Sequence, residues 1–153
     1  MLYVAYGSNM NLDQMAYRCP NSKVVGTGKL HGWNLVFNVH ADVVESNDDS
    51  FVPVVIWDIS NEDWDYLDMY EGYPSYYIKR KVNVEFDNGN NDAAIVYVMA
   101  DNRKGICPPS SGYFDGIVNG CIDNGIDTGY LYEALDYSFE NATEFNQYNV
   151  RSL

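Results

Sequence analysis

Three cysteines, two histidines and nine basic residues are few, in a chain of 153, of the side chains that usually build disulfides, metal centres and phosphate sites. Cys19, Cys107 and Cys121 are odd in number and widely spaced, which argues against a disulfide framework and for a reducing, cytoplasmic setting. His31 and His40 stand in no metal-ligand spacing, and no Cys-x-x-Cys pair occurs, so no metal site is expected. The nine Lys and Arg face 22 acids, a net charge of −13 that repels phosphate backbones and excludes nucleic acid as a natural partner. Beyond Cys107 the only basic side chain is Arg151. An anionic ligand group would therefore be held by backbone N–H groups or by a few chosen side chains. No apolar run is long enough to span a bilayer as a helix, and no basic stretch followed by an apolar core opens the chain. Neither a membrane partner nor a secretory signal is read from it.

What is abundant is aromatic. A hydrophobic fraction of 46% and an aromatic fraction of 15%, with fourteen tyrosines, suit one packed domain over residues 1–153. Leu2 to Tyr6 reads as a short buried strand that ends at Gly7-Ser8-Asn9, and Asn11 to Arg18 as a helix stopped by Pro20. Trp33 to Val39 alternates Trp33, Leu35, Phe37 and Val39 on one face, the period of a strand. Asp42 to Ser50 is unusually acidic, and Glu45 to Ser50 reads as a loop or hairpin tip. Phe51 to Ile59 returns to strand. Ser60 is placed as the cap of a helix ending near Tyr70 or Glu71, with Gly72 to close it. Tyr76 to Phe86 and Ala93 to Met99 form a hairpin about the turn Asp87 to Asn91. Pro108 to Ser111 opens a helix with Phe114, Ile117, Val118, Cys121 and Ile122 along its apolar stripe, and Tyr130 to Leu135 reads as a further short helix. The polar tail, residues 136–153, receives no assignment. The pattern is α+β, with mainly antiparallel strands curled or closed and helices packed around them.

Two elements carry the chemistry. Trp64, Leu67 and Glu71 recur at helical spacing, so the Glu71 carboxylate shares an inward face with two large apolar side chains. It also sits at the negative end of its helix. Both circumstances disfavour the charged form and raise the pKa, as a general acid or base at neutral pH requires. The alternative is an exposed helix-end acid, or one paired with Lys79 or Arg80. Tyr6-Gly7-Ser8-Asn9 is the second element: a strand ending in Gly-Ser-Asn before a helix leaves N–H groups free to receive a carboxylate or an oxyanion. Read plainly, it is a glycine turn that caps the next helix. Ser8 lies outside a Gly-x-Ser-x-Gly elbow, so it lacks the setting of a hydrolase nucleophile.

Tyr6-Gly7-Ser8-Asn9-Met10, then Leu67-Asp68-Met69-Tyr70-Glu71-Gly72-Tyr73-Pro74 followed by Tyr77, resembles the gamma-glutamylcyclotransferase-like family, with its gamma-glutamylamine cyclotransferase and AIG2-like members. Pro109-Ser110-Ser111-Gly112-Tyr113-Phe114, with Gly120, Gly125-Ile126 and Tyr130, is similar to the C-terminal pattern of the gamma-glutamylcyclotransferase branch. The resemblance implies a small mixed β-barrel with surrounding helices and a cavity at one end. It also implies Glu71 as catalytic acid/base, and a Gly7 to Asn9 loop that binds substrate through N–H groups. Tyr113 and Tyr6 become substrate-positioning hydroxyls. The implied reaction releases 5-oxoproline from a γ-glutamyl amino acid or amine, and it needs neither metal nor cofactor because the attack is intramolecular. The sequence departs from the family at the acidic Asp42 to Ser50 stretch and at Pro53-Val54, and it mixes the motifs of two branches. An amide hydrolase or acyltransferase on γ-glutamyl compounds, or a non-catalytic small-ligand module, would use the same cavity.

Overall fold

A computed structural model describes residues 1–142. Five strands close into a barrel: β1 (Leu2–Ala5), β2 (Lys23–His31), β5 (Phe51–Asp58), β6 (Tyr77–Phe86) and β7 (Asn91–Met99). Their order around it is β1-β5-β2-β6-β7, and β1 meets β7 in parallel at Tyr3 and Ile95 to close the ring. All other neighbours are antiparallel. Strand β2 reaches β6 through only a short contact, Gly28 to Phe86 and Lys29 to Glu85. A Cβ at Gly28 would fall 2.2 Å from the Glu85 carbonyl oxygen, so the barrel closes there because the side chain is missing. The interior is filled by Val4, Leu30, Val54, Ile56, Val84 and Val96.

Strands β3 (Trp33–Asn38) and β4 (His40–Glu45) form a separate two-stranded sheet. The alternation of Trp33 to Phe37 is realised, but Val39 leaves the strand at φ 66 and turns the chain directly into β4. The loop expected over Glu45 to Ser50 is found from Ser46 to Ser50, while the acidic stretch begins in strand. There Asp42 is fully buried, accepting hydrogen bonds from the N–H groups of Val43 and Met99 and from the Asn38 amide. A buried aspartate with three donors mimics nothing in the hydropathy pattern, which is why periodicity missed the strand.

Helix α1 (Leu12–Arg18) is capped by the Asn11 side chain and ends before Pro20, as its spacing suggested. Helix α2 begins later than expected, at Trp64, and runs to Glu71. Ser60 accepts from the Asp63 N–H, but it opens a turn and not the helix itself. Buried Asp63 in turn accepts from the Asn21 N–H and the Ser22 hydroxyl, which ties the chain leaving α1 to the start of α2. Gly72 ends α2 in the left-handed conformation, φ 66, with its N–H on the carbonyls of Asp68 and Met69.

Helix α3 (Ser111–Asp123) buries Phe114, Ile117 and Cys121 but leaves Ile122 exposed at the edge of the stripe. Gly120 lies against the backbone of Met10 and Asn11, where a Cβ would meet it at under 3.0 Å. Helix α4 (Gly129–Asn141) is about twice as long as its sequence suggested, because Ser138 continues the buried face of Leu131 and Ala134 past Leu135. The last part of the unassigned tail, residues 143–153, lies outside the described residues. No helix among the described residues is long and apolar enough to cross a membrane.

Candidate active site

The end of β1, the end of α2, the β3–β4 turn and the start of α3 meet around a cavity of about 460 Å³. Its wall includes all six residues singled out from the sequence: Tyr6, Gly7, Ser8, Asn9, Glu71 and Tyr113. It also includes Tyr3, His40, Ala41, Tyr70, Tyr76, Tyr77 and Tyr97, which no spacing marked. Half of the chain's fourteen tyrosines line this one space. That concentration explains an aromatic content that composition alone could only register.

Glu71 closes the last turn of α2, over the buried Leu67. Burial pushes its carboxyl up to about 7, against the Arg18 guanidinium, which draws it down. The direction is the one expected from an inward helix face. The pairing with Lys79 or Arg80 does not occur: Lys79 bonds Asp68 at 2.8 Å, and Arg80 bonds Glu45. Instead the Asn9 side-chain nitrogen donates to Glu71 Oε1 at 3.0 Å.

Asn9 is buried, and each polar atom of its side chain has a protein partner. Arg18 donates to Oδ1 at 2.6 Å, and Nδ2 donates to Glu71 and to the Tyr3 hydroxyl at 3.0 Å. Its carbonyl accepts from the Trp57 indole. The side chain is therefore engaged within the protein, and the backbone N–H is the Asn9 group left open. Residues Ser8–Met10 form a 3₁₀ turn whose first bond runs from the Met10 N–H to the Gly7 carbonyl. The N–H groups of Gly7, Ser8 and Asn9 precede that bond and find no acceptor among the described residues. Gly7 has φ −126, outside the left-handed region. What matters is space: a Cβ there would lie 3.2 Å from the Ala41 Cβ and 3.6 Å from the Tyr113 hydroxyl.

Three phenols differ in what they have left to offer. The Tyr6 proton goes to the Tyr97 carbonyl at 2.6 Å, so its oxygen remains only as an acceptor. Tyr77 likewise donates to the Ala41 carbonyl at 2.7 Å. Tyr113 is the reverse: its oxygen accepts the Ala41 N–H at 3.0 Å, and its own proton is free for a ligand. His40 shares a hydrogen bond of 2.7 Å with the Tyr76 hydroxyl, and burial lowers its pKa. The cavity thus presents a carboxyl with a raised pKa, a turn of free N–H groups, and phenolic protons at Tyr113 and Tyr3 that find no acceptor among the described residues. Among the described residues, no three His, Cys, Asp or Glu side chains converge as metal ligands would.

A family model described as gamma-glutamyl cyclotransferase, AIG2-like, matches residues 3–116. A protein of Methanocaldococcus jannaschii that bears the provisional name gamma-glutamylcyclotransferase is 29% identical over 96 residues, 62% of this chain and 79% of the relative. A solved structure named gamma-glutamyl cyclotransferase superposes with a TM-score of 0.78 at 24% identity, over 88% of this chain and 85% of the other. The crystal structure of an uncharacterized human protein gives a TM-score of 0.76 at 25% identity, over 87% and 85%. These structures share the barrel and its surrounding helices.

Proposed function

The chain belongs to the gamma-glutamyl cyclotransferase, AIG2-like family and is an enzyme of that type, and from this premise we propose that it releases 5-oxoproline from a γ-glutamyl amino acid or amine, with Glu71 as acid/base. The observation that carries the proposal is the placing of a carboxyl with a pKa of about 7 beside the Gly7 to Asn9 turn in one cavity. A carboxyl titrating near neutrality can both take a proton and give it back.

The reaction follows from the groups present. Glu71 takes a proton from the substrate's α-ammonium. The freed amine attacks the γ-carbonyl carbon of the same molecule, and the carbonyl oxygen gains charge as the C–N bond forms. N–H groups of the Gly7 to Asn9 turn receive that oxygen or the α-carboxylate. The Tyr113 proton offers one further donor, and the Tyr6 oxygen one acceptor for the ammonium. Glu71 then returns its proton to the leaving nitrogen as the old amide bond breaks, takes the second proton from the ring nitrogen and passes it to the released amine, so that 5-oxoproline and an ammonium remain. Because both reacting groups belong to one substrate, the protein needs to hold only a compact conformer. Three free, buried cysteines suit a reducing cytoplasm as the site of action.

The test is release of 5-oxoproline from a panel of γ-glutamyl amino acids and amines, with Glu71→Gln as control. Product from the wild type and none from the variant is the expected result. Free glutamate in place of 5-oxoproline would mark hydrolysis. Thermal stabilisation by a γ-glutamyl compound without turnover would mark a binding module.

A further inference from the structure

Arg18 is the last residue of helix α1. In the structure its guanidinium lies 3.6 Å from the centroid of the Tyr70 ring and donates to Asn9 Oδ1 at 2.6 Å and Ser8 Oγ at 3.2 Å. The Ser8 hydroxyl and the Tyr70 hydroxyl are themselves 3.2 Å apart, so the cation is held between the turn and α2. Among the described residues no carboxylate pairs with it directly. A cation so placed usually answers an acid, and the acid it reaches is Glu71, through the Asn9 amide.

We propose that Arg18 is a positioning residue for proton transfer: it fixes the orientation of the Asn9 amide toward Glu71, and its charge sets the pH at which Glu71 exchanges protons. The first half follows from donor chemistry. A guanidinium only donates, so the group facing it must be the Asn9 oxygen, and the Asn9 nitrogen must then face Glu71. One carboxylate oxygen, Oε1, is held as an acceptor, and Oε2 carries the exchanged proton. The second half follows from what else surrounds the carboxyl. Tyr3 from β1, Tyr6 beyond it, Cys19 after α1, Tyr77 from β6, Tyr97 from β7 and Tyr113 from α3 all interact with it. Burial raises each of these, so all stay neutral when Glu71 titrates. Arg18 is the charge that opposes the effect of burial.

The inference rests on Glu71 being the acid/base, and its test separates the two. Glu71 is titrated by carboxyl carbon NMR in the full chain, its resonance assigned by its absence in Glu71→Gln, while 5-oxoproline release is followed against pH. Arg18→Met raises the Glu71 midpoint by about one pH unit, and the acid limb of kcat moves up with it. KM changes by no more than about twofold, because the lost contacts serve the proton and not the substrate. Arg18→Lys restores the charge and returns the midpoint toward the wild-type value. An unmoved midpoint in Arg18→Met overturns the proposal. If the wild type releases no 5-oxoproline, the cyclotransferase reading fails, and the midpoint still decides the control exerted by Arg18. A second measurement needs no Arg18 variant: the guanidinium nitrogen resonances of Arg18 follow the Glu71 titration in the wild type and not in Glu71→Gln. Flat resonances in the wild type would also overturn it.

Discussion

The Asn9 side-chain nitrogen stands 3.0 Å from Glu71 Oε1, although the two residues are 62 apart in sequence. One belongs to the turn that follows β1 and the other to the end of α2. That contact joins the two motifs into one site and makes their consequences testable together.

Glu71 should make the protein less stable as pH rises. Its folded pKa of about 7 lies above its ordinary value of 4.5, so the folded state binds the proton more tightly. Between those pH values the folded chain holds more protons than the unfolded one, and stability falls. Glu71→Gln removes that loss and raises stability above pH 7 by about 1–3 kcal/mol, while abolishing turnover. Thermal melts of both proteins from pH 5 to 8 check the divergence.

Asn9→Ala leaves Arg18 and Glu71 without their common partner. Turnover should fall about 10–100-fold, with a smaller change in KM, because Glu71 loses its fixed orientation. Stability should fall by about 1–3 kcal/mol through the unsatisfied groups. Steady-state kinetics and denaturant unfolding of the variant measure the two effects separately.

Tyr113→Phe and Tyr6→Phe should differ in kind. The first removes a free phenolic donor beside the turn, so KM should rise about three- to tenfold. The second mainly takes a donor from the Tyr97 carbonyl, so it should cost about 1 kcal/mol of stability with a weaker effect on KM. Equal KM effects in the two variants would contradict this division.

Asp42 has no exposed surface and accepts from two backbone N–H groups and one amide. Burial raises its pKa, and its donors hold the carboxylate against that rise. Asp42→Ala should lose about 2–4 kcal/mol by stranding those donors. It should also loosen the strand that presents His40 and Ala41 to the cavity. A melting temperature equal to the wild type would rule out this role.

Gly7→Ala tests the space beside the turn. The fold should persist, because the added methyl points into the cavity wall and not into the barrel interior. The new methyl would crowd Ala41 and Tyr113, and KM should rise about tenfold or more, as measured by 5-oxoproline release.

Local chemistry made much of this protein legible from its sequence alone. The Gly-Ser-Asn turn and the helix between it and Pro20 are written in neighbouring residues. So is the inward face of Trp64, Leu67 and Glu71, with Gly72 to end it, because helical spacing and a left-handed cap depend on local geometry. Tertiary structure decided the rest. Closing the barrel brought Asn9 to Glu71, sent Lys79 to Asp68 instead, and placed Arg18 behind the pair. It also buried Asp42 in a strand that its charge had disguised, and gathered seven tyrosines around one cavity. Such contacts join elements distant in sequence, and the pKa of a carboxyl depends on the burial those contacts create. Spacing leaves the Tyr6 to Asn9 loop and Glu71 each open to two readings; the fold joins them by a hydrogen bond in the wall of one cavity.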